Sequence, residues 1–509
     1  MVEHSFAKVL VANRGEIAVR IIQGLRELGI GTVAVYSEVD RTALHVLAAD
    51  EAYPIGPAPA SESYLAAEKI IATARAAGAE AIHPGYGFLA ENAEFAAAVE
   101  AAGLVFIGPT GESIELMGDK LAARQRMLAS GVPVIPGTDR AVTDPEAAKE
   151  AARDIGYPVL LKAAAGGGGK GMRIVHGENE IASALRQTMG EARSAFGNDA
   201  IFVERYIESP KHIEVQVLGD GQGRVVHVFE RECSVQRRHQ KVIEESPSPS
   251  LSPDLRQEIC AAAVRTAEAI DYRGAGTVEF ILSPDREFFF LEMNTRLQVE
   301  HPITELVTST DLLRAQVAIA RGQGLPYRQQ DLSQKGWALE FRIYAEDPAR
   351  NFTPSIGKIT TMVPPAGPGV RLDSGIYEGF DVPIHYDPLL AKLVVWGEDR
   401  AHALARAERA LSEFTLHGPI HNIPFHIWTL RQQAFLDGTY TTAFIAEVFD
   451  PAQFLDPLAA EDHQAVLTAA ALYEESRRRQ GTTPQPGAAT GDRPSAWRLA
   501  ALRSMTGQR

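Results

Sequence analysis

The stretch Lys8-Val9-Leu10-Val11-Ala12-Asn13-Arg14-Gly15-Glu16-Ile17-Ala18-Val19-Arg20-Ile21-Ile22-Gln23-Gly24-Leu25-Arg26-Glu27-Leu28, with Thr32-Val33-Ala34-Val35-Tyr36 behind it, sets the architecture. An apolar strand, a glycine turn, an amphipathic helix to about Leu28 and a second apolar strand make a β-α-β unit. The alternation continues through Ile82-His83-Pro84-Gly85-Tyr86-Gly87 and Val105-Phe106-Ile107-Gly108. It predicts an α/β, doubly wound, Rossmann-like domain over residues 1–116. A nicotinamide site would need a fuller glycine fingerprint than the one glycine of Asn13-Arg14-Gly15-Glu16, so that reading is set aside.

Outward from this unit, residues 117–204 open with a helix expected over Met117 to Ala129 and hold a second αβ segment. That segment contains Gly166-Gly167-Gly168-Gly169-Lys170-Gly171, which cannot be a helix interior. Residues 205–335 and 336–450 mix strands (Thr277 to Leu282, Phe288 to Met293) with helices at 254–270 and 400–414, an α+β pattern. Residues 451–509 turn to Ala, Glu and Arg and then to Thr482-Thr483-Pro484-Gln485-Pro486-Gly487, a helix followed by a flexible extension.

With 509 residues, 45% hydrophobic and 23% charged, the chain is a folded multidomain globular protein. The 50 Lys+Arg against 65 Asp+Glu leave a formal charge of −15, which disfavours nucleic acid as a partner. Two cysteines, Cys233 and Cys260, make no disulfide framework, so a reducing, cytoplasmic setting is expected. The start Met-Val-Glu-His-Ser-Phe is no export signal, and no apolar run approaches the roughly 18 residues of a membrane span.

Chemistry concentrates between Phe288 and His301. Read as an extended strand, this stretch places Glu292, Asn294, Arg296, Gln298 and Glu300 on one face and Met293, Leu297 and Val299 on the other. An ordinary solvated strand face is the bland alternative. The preceding strand, Thr277 to Leu282, joins it through Ser283-Pro284-Asp285-Arg286-Glu287, a hairpin turn. A turn centred between Asp285 and Arg286 sets Glu279 opposite Glu292, with Cβ atoms about 4.5–5.5 Å apart. Like charges so placed call for a cation. Two carboxylates and the Asn294 amide suit magnesium, which completes its shell with phosphate oxygens and water. A bridging Arg or Lys is the alternative.

The glycine tract after Val159-Leu160-Leu161-Lys162 lets backbone N–H groups approach an anion, although a flexible hinge explains it equally. It is not a Walker A loop, because Gly169-Lys170 is followed by Gly171. Lys120 and Lys162 are candidate phosphate-neutralising cations. Gln236-Arg237-Arg238-His239-Gln240-Lys241 gathers three positive charges without interleaved aromatics, so a small anion is expected there rather than nucleic acid. Cys233 has no base beside it in sequence and reads as a buried structural thiol.

These segments, in order, resemble those of biotin carboxylase, an ATP-grasp family of the biotin-dependent carboxylases. The resemblance is carried by Val9 to Ala18, His83-Pro84-Gly85-Tyr86-Gly87-Phe88-Leu89, the glycine tract, Cys233 to Lys241, Glu292 to His301 and Arg342-Ile343-Tyr344-Ala345-Glu346-Asp347-Pro348. It covers roughly residues 5 to 450. It implies an N-terminal Rossmann-like domain (1–116), an ATP-grasp linker and lid (117–204), an ATP-grasp catalytic part (205–335), a biotin carboxylase C-terminal domain (336–450) and an extension (451–509).

It also implies ATP-dependent carboxylation of biotin by bicarbonate through carboxyphosphate. ATP, Mg2+ or Mn2+, and biotin borne on a carrier are the implied cofactors. By the same resemblance Glu279 and Glu292, with Asn294, hold the metal. Lys120, Lys162, Gly168, Gly169, Glu204, Arg205, Ile207, His212, Gln236 and His239 join them around ATP. Lys241, Arg296, Gln298 and the Val299 backbone form a bicarbonate pocket. Glu300 is the implied base for bicarbonate, and Arg342 stabilises the enolate of biotin, its plain alternative being an ion pair with Glu340 or Glu346. Ala165 departs mildly from the glycine many relatives carry. No Met-Lys-Met biotin-attachment motif is present. The carrier and carboxyltransferase are therefore expected on separate chains, with a homodimer and without nucleic acid or membrane partners. Another ATP-grasp carboxylate ligase, or a nucleotide-sensing scaffold with a dead site, are the competing functions.

Overall fold

The computed structural model describes residues 5–164, 171–454, 465, 467–473 and 475. Gly168, Gly169 and most of 451–509 therefore lie outside the described residues. Near the N-terminus, β1 (Lys8–Val11), α1 (Gly15–Glu27), β2 (Gly31–Ser37), β3 (Glu51–Gly56), β4 (Ala81–His83) and β5 (Val105–Phe106) build a five-stranded parallel sheet of order β3-β2-β1-β4-β5. Val9, Leu10 and Val11 are all buried because central parallel strands are covered on both faces. The Asn13 amide leaves β1 to donate to the carbonyls of Pro84 (2.7 Å) and Tyr86 (2.8 Å), tying α1's entry to the loop after β4. Gly85 in that loop has φ +66, and a Cβ there would lie 2.8 Å from Asn13 Nδ2.

The helix expected over Met117 to Ala129 is two helices. The first ends at Gly118, and α2 (Lys120–Ala129) starts anew, because the Asp119 carboxylate accepts from the N–H groups of Leu121 (2.9 Å) and Ala122 (3.0 Å) as an N-cap. The break leaves Lys120 at the head of a helix, whose N-terminus itself favours anions. Beyond it β6 (Val159–Ala163), β7 (Met172–Val175) and β8 (Ile201–Arg205) form an antiparallel sheet of order β7-β6-β8.

An eight-stranded sheet carries most of the chemistry. Its strands are β9 (Lys211–Asp220), β10 (Val225–Arg237), β11 (Gln240–Ser246), β12 (Arg273–Leu282), β13 (Phe288–Asn294), β14 (Trp337–Tyr344), β15 (Val370–Ser374) and β16 (Leu389–Gly397), in the order β13-β12-β9-β10-β11-β14-β16-β15. Because β11 pairs with β14, this one sheet spans the boundary read near residue 335. No helix among the described residues is long and apolar enough to cross a membrane.

The hairpin β12–β13 corrects the sequence reading in two ways. Leu282 pairs with Phe288 and Phe280 with Phe290, so the turn centres on Asp285, half a residue earlier than expected. A β-bulge at Leu291 then restores Glu279 opposite Glu292. The strand also stops at Asn294. Arg296, Gln298 and Glu300 lie in the irregular segment between β13 and α3 (His301–Thr308), not on an extended face.

Candidate functional site

A cavity of about 250 Å³ opens between the small antiparallel sheet and the large one. Lys120, Lys162, Glu204, Arg205, Ile207, His212, Gln236, His239, Glu279 and Glu292 line it together with Ile135, Leu160, Met172, Ile281 and Leu291. Lys120 heads α2, Lys162 sits on β6 and reaches Glu204 on β8 at 3.6 Å, and Arg205 lies over the Phe289 ring at 5.1 Å. Burial, with Lys162 nearby, pulls the Lys120 amine down to about 8. A cavity with an apolar end and a cluster of cations matches a nucleotide, the base on the apolar wall and the phosphates by the lysines.

Four residues form one row across neighbouring strands: Arg231 on β10, Glu214 on β9, Glu279 on β12 and Glu292 on β13. Three carboxylates in consecutive places repel, and the neighbouring cations take them up from one end. Arg231, fully buried, donates to Glu214, Gln216 (2.8 Å), Thr304 (2.9 Å), Thr277 (3.1 Å) and Gln298 (2.8 Å). Lys241 donates to Glu214, to Glu279 at 2.8 Å and to Glu300 at 2.7 Å. Glu279 also accepts from Asn294 (2.8 Å) and Gln298 (2.9 Å), and His212 Nε2 lies 3.1 Å from it. Burial alone would raise the Glu279 carboxyl, but Lys241 and His212 hold it far below the usual carboxylate range.

Glu292 ends the row with no hydrogen bond or ion pair among the described residues, and no Arg or Lys bridges it to Glu279. This carboxylate beside Glu279, in the wall of a cavity whose lysines suit phosphates, fits a hard divalent cation such as magnesium or manganese. The Asn294 amide oxygen accepts from Arg296 Nη2 at 2.9 Å, so it faces that guanidinium while its Nδ2 faces Glu279.

Glu300, 1% exposed, joins this row to a second cavity of about 490 Å³. Arg342 donates to Glu300 at 3.0 Å and to Glu244 at 2.6 Å, so its partners are neither Glu340 nor Glu346. Burial would raise the Glu300 carboxyl, but Lys241, Arg342 and Arg231 together hold it well below the ordinary range. The second cavity is lined by Arg296, Val299 and Arg342 together with Arg14, Glu16, Tyr86, Phe88, Tyr344 and Tyr386. Aromatic walls with a guanidinium at the base suit a flat, partly apolar group with a polar oxygen.

The basic hexapeptide does not act as one anion site. Arg238 and His239, at φ +51 and +65, turn the β10–β11 hairpin and split its side chains. Arg237 pairs with Glu346 at 2.8 Å, His239 lines the first cavity, and Lys241 points into the carboxylate row. Cys233 is fully buried, and burial pushes its thiol well up, as a structural role requires. Residues missed in the sequence include Glu214, Arg231, Glu244, Glu91, which binds Arg296 at 2.8 Å, and the aromatic walls of the second cavity. One signal was available. His212, Glu214 and Gln216 alternate with Ile213, Val215 and Val217, the period that picked out Glu292 and Asn294.

Three family models match in sequence order: the biotin carboxylase N-terminal domain over residues 5–114, the ATP-binding domain of the carbamoyl-phosphate synthase L chain over 119–328, and the biotin carboxylase C-terminal domain over 340–447. A pyruvate carboxylase subunit of Methanothermobacter thermautotrophicus is 52% identical over 442 residues, covering 87% of this chain and 90% of its own. Biotin carboxylase 1 of Bacillus subtilis is 50% identical over 444 residues, 87% of this chain and 98% of its own. Among solved structures, the Campylobacter jejuni biotin carboxylase–β-γ-ATP complex superposes with a TM-score of 0.85 at 46% identity, covering 87% of this chain and 99% of that one. The biotin carboxylase domain dimer of Hydrogenobacter thermophilus 2-oxoglutarate carboxylase, with MgADP, ADP and bicarbonate, gives 0.84 at 48% identity, covering 87% and 98%.

Proposed function

This chain belongs to the biotin carboxylase family, and on that premise we propose that it carboxylates biotin with ATP and bicarbonate, releasing ADP and phosphate. One observation carries the assignment of roles: the chain of contacts Glu279–Lys241–Glu300–Arg342 runs without a gap from the wall of the first cavity to the wall of the second. ATP fits the first cavity, with Lys120 and Lys162 toward its phosphates and Glu204, Arg205 and Ile207 toward its base. The family resemblance adds Gly168 and Gly169, which lie outside the described residues, to the phosphate contacts. Glu279 and Glu292, with Asn294 beside them, would hold magnesium, which neutralises phosphate charge during transfer.

Bicarbonate belongs between Lys241, Arg296, Gln298 and the Val299 backbone. Glu300 takes its proton, a bicarbonate oxygen attacks the γ-phosphorus, and the bond to ADP breaks. The anion draws on the same cations that hold Glu300 acidic, and sharing them raises the carboxylate's basicity for this step. Carboxyphosphate then gives its carboxyl group to the ureido nitrogen of biotin: the N–C bond forms, the C–O bond to phosphate breaks, and the leaving phosphate takes the N–H proton. Arg342 meets the negative charge on the ureido oxygen from the base of the second cavity. The biotin is borne on a carrier protein, and carrier and carboxyltransferase are separate chains, as the naming of the Methanothermobacter relative as one subunit of its enzyme supports. The chain works as a homodimer, supported by the dimer of the Hydrogenobacter domain.

ADP release by the purified chain with ATP, magnesium and bicarbonate, with and without free biotin, tests the proposal. Turnover should need bicarbonate and rise with biotin. Glu300→Gln should cost about 10²–10⁴-fold in biotin-dependent turnover, and Arg342→Ala about 10²–10³-fold. Turnover indifferent to both biotin and bicarbonate would instead favour another ATP-grasp ligase.

A further inference from the structure

Val299 and Glu300 form the turn that leads into α3, and two successive groups of this turn are held from adjacent strands. Arg342 on β14 holds the Glu300 carboxylate, and Lys392 on β16 donates from Nζ to the Val299 carbonyl at 2.8 Å. Arg342 and Lys392 are register partners, so two cations face each other directly in the ladder. Such a pair repels unless each cation has its own anion. Arg342 has Glu244 and Glu300, whereas Lys392 has Glu16 at 3.1 Å and Asp373 at 3.7 Å. Lys392 is 0% exposed and Glu16 4%, and a buried ammonium is tolerated only with such partners. Glu16 is the second residue of α1 and accepts from the Tyr86 hydroxyl, so the N-terminal sheet reaches through Lys392 to this turn.

We infer that Lys392, oriented by Glu16, is a positioning residue for Glu300. By gripping the carbonyl one residue before it, Lys392 fixes the angle at which the carboxylate meets bicarbonate, without touching substrate itself. This rests on the carboxylase reading given above. A lysine that merely neutralised Glu16 in the core would affect stability and leave bicarbonate kinetics alone.

Steady-state kinetics of biotin-dependent ADP release by the full chain, with bicarbonate varied, tests this beside calorimetric binding of ADP. Lys392→Met should lower kcat on the order of tenfold or more and raise KM for bicarbonate, since a misplacement of about 1 Å can cost about 10²-fold. ADP affinity should hold within about twofold, because the first cavity is built by other strands. Lys392→Arg, which still donates to Val299, should recover most of the loss. Unchanged kinetics in Lys392→Met, or kcat and ADP affinity falling together without rescue by arginine, would overturn the assignment. If Lys392→Met does not fold, Glu16→Gln decides: a raised bicarbonate KM at unchanged ADP affinity supports positioning, and wild-type kinetics refute it. A wild-type chain without biotin-stimulated turnover would sink the carboxylase reading, and this inference with it, before any variant is made.

Discussion

Lys120 is a residue whose position in the chain controls its acidity. Heading α2 inside the first cavity, with Lys162 close by, its amine loses solvation and titrates near 8. Below about 8 the amine is charged and attracts phosphate, and above it the attraction fades. Affinity for metal-free ADP should therefore weaken as pH rises from about 7 to 9, and Lys120→Arg, with a guanidinium that stays charged, should flatten that profile in a calorimetric titration. Glu300 shows the opposite control. Three cations hold its proton off, so Glu300→Gln removes the charge that Lys241 and Arg342 share and not merely a proton acceptor. Residue type and spacing marked Glu300 but not how strongly its proton is held off, since Arg231 and Arg342 come from strands far away in sequence.

At the scale of elements, the β12–β13 hairpin shows how one irregularity places a carboxylate proposed to hold the metal. Without the bulge at Leu291 the ladder that pairs Phe280 with Phe290 would set Glu279 against Leu291 and turn Glu292 to the apolar face beside Val278. An alanine inserted after Leu291 should rotate Glu292 out of the site. The gain in ADP affinity on adding magnesium should then fall on the order of tenfold or more, while metal-free ADP binding through Lys120 and Lys162 persists. The hairpin and its facing carboxylates were legible from turn composition and alternation, whereas the bulge was not, because no residue type in Phe288 to Asn294 announces an extra residue. The strand's end at Asn294 was equally hidden. Arg296, Gln298 and Glu300 reach the site because Glu91, Arg231 and Lys392 hold the loop that carries them.

At the scale of the whole molecule, every described residue lining either cavity falls within 1–450, which forms one compact unit. A chain ended after Asp450 should therefore keep biotin-dependent ADP release with free biotin within about twofold of the full chain, a rate assay that separates chemistry from any partner binding by residues 451–509. The β-α-β opening and the parallel sheet were determined by sequence alone, because periodicity and turn chemistry act over a few neighbouring residues, whereas the facing of Glu279 and Glu292 also needed the bulge, and the roles of Lys120 and Lys162 came from the resemblance. Tertiary structure alone decided that Glu214, Glu244, Glu16 and Lys392 stand around Lys241, Glu300 and Arg342. Their meeting depends on strand order in the eight-stranded sheet and on the docking of α1 against β15 and β16; Glu214 shows in the alternation of its strand, but the single buried charges Glu16, Glu244 and Lys392 leave no periodic trace along the chain.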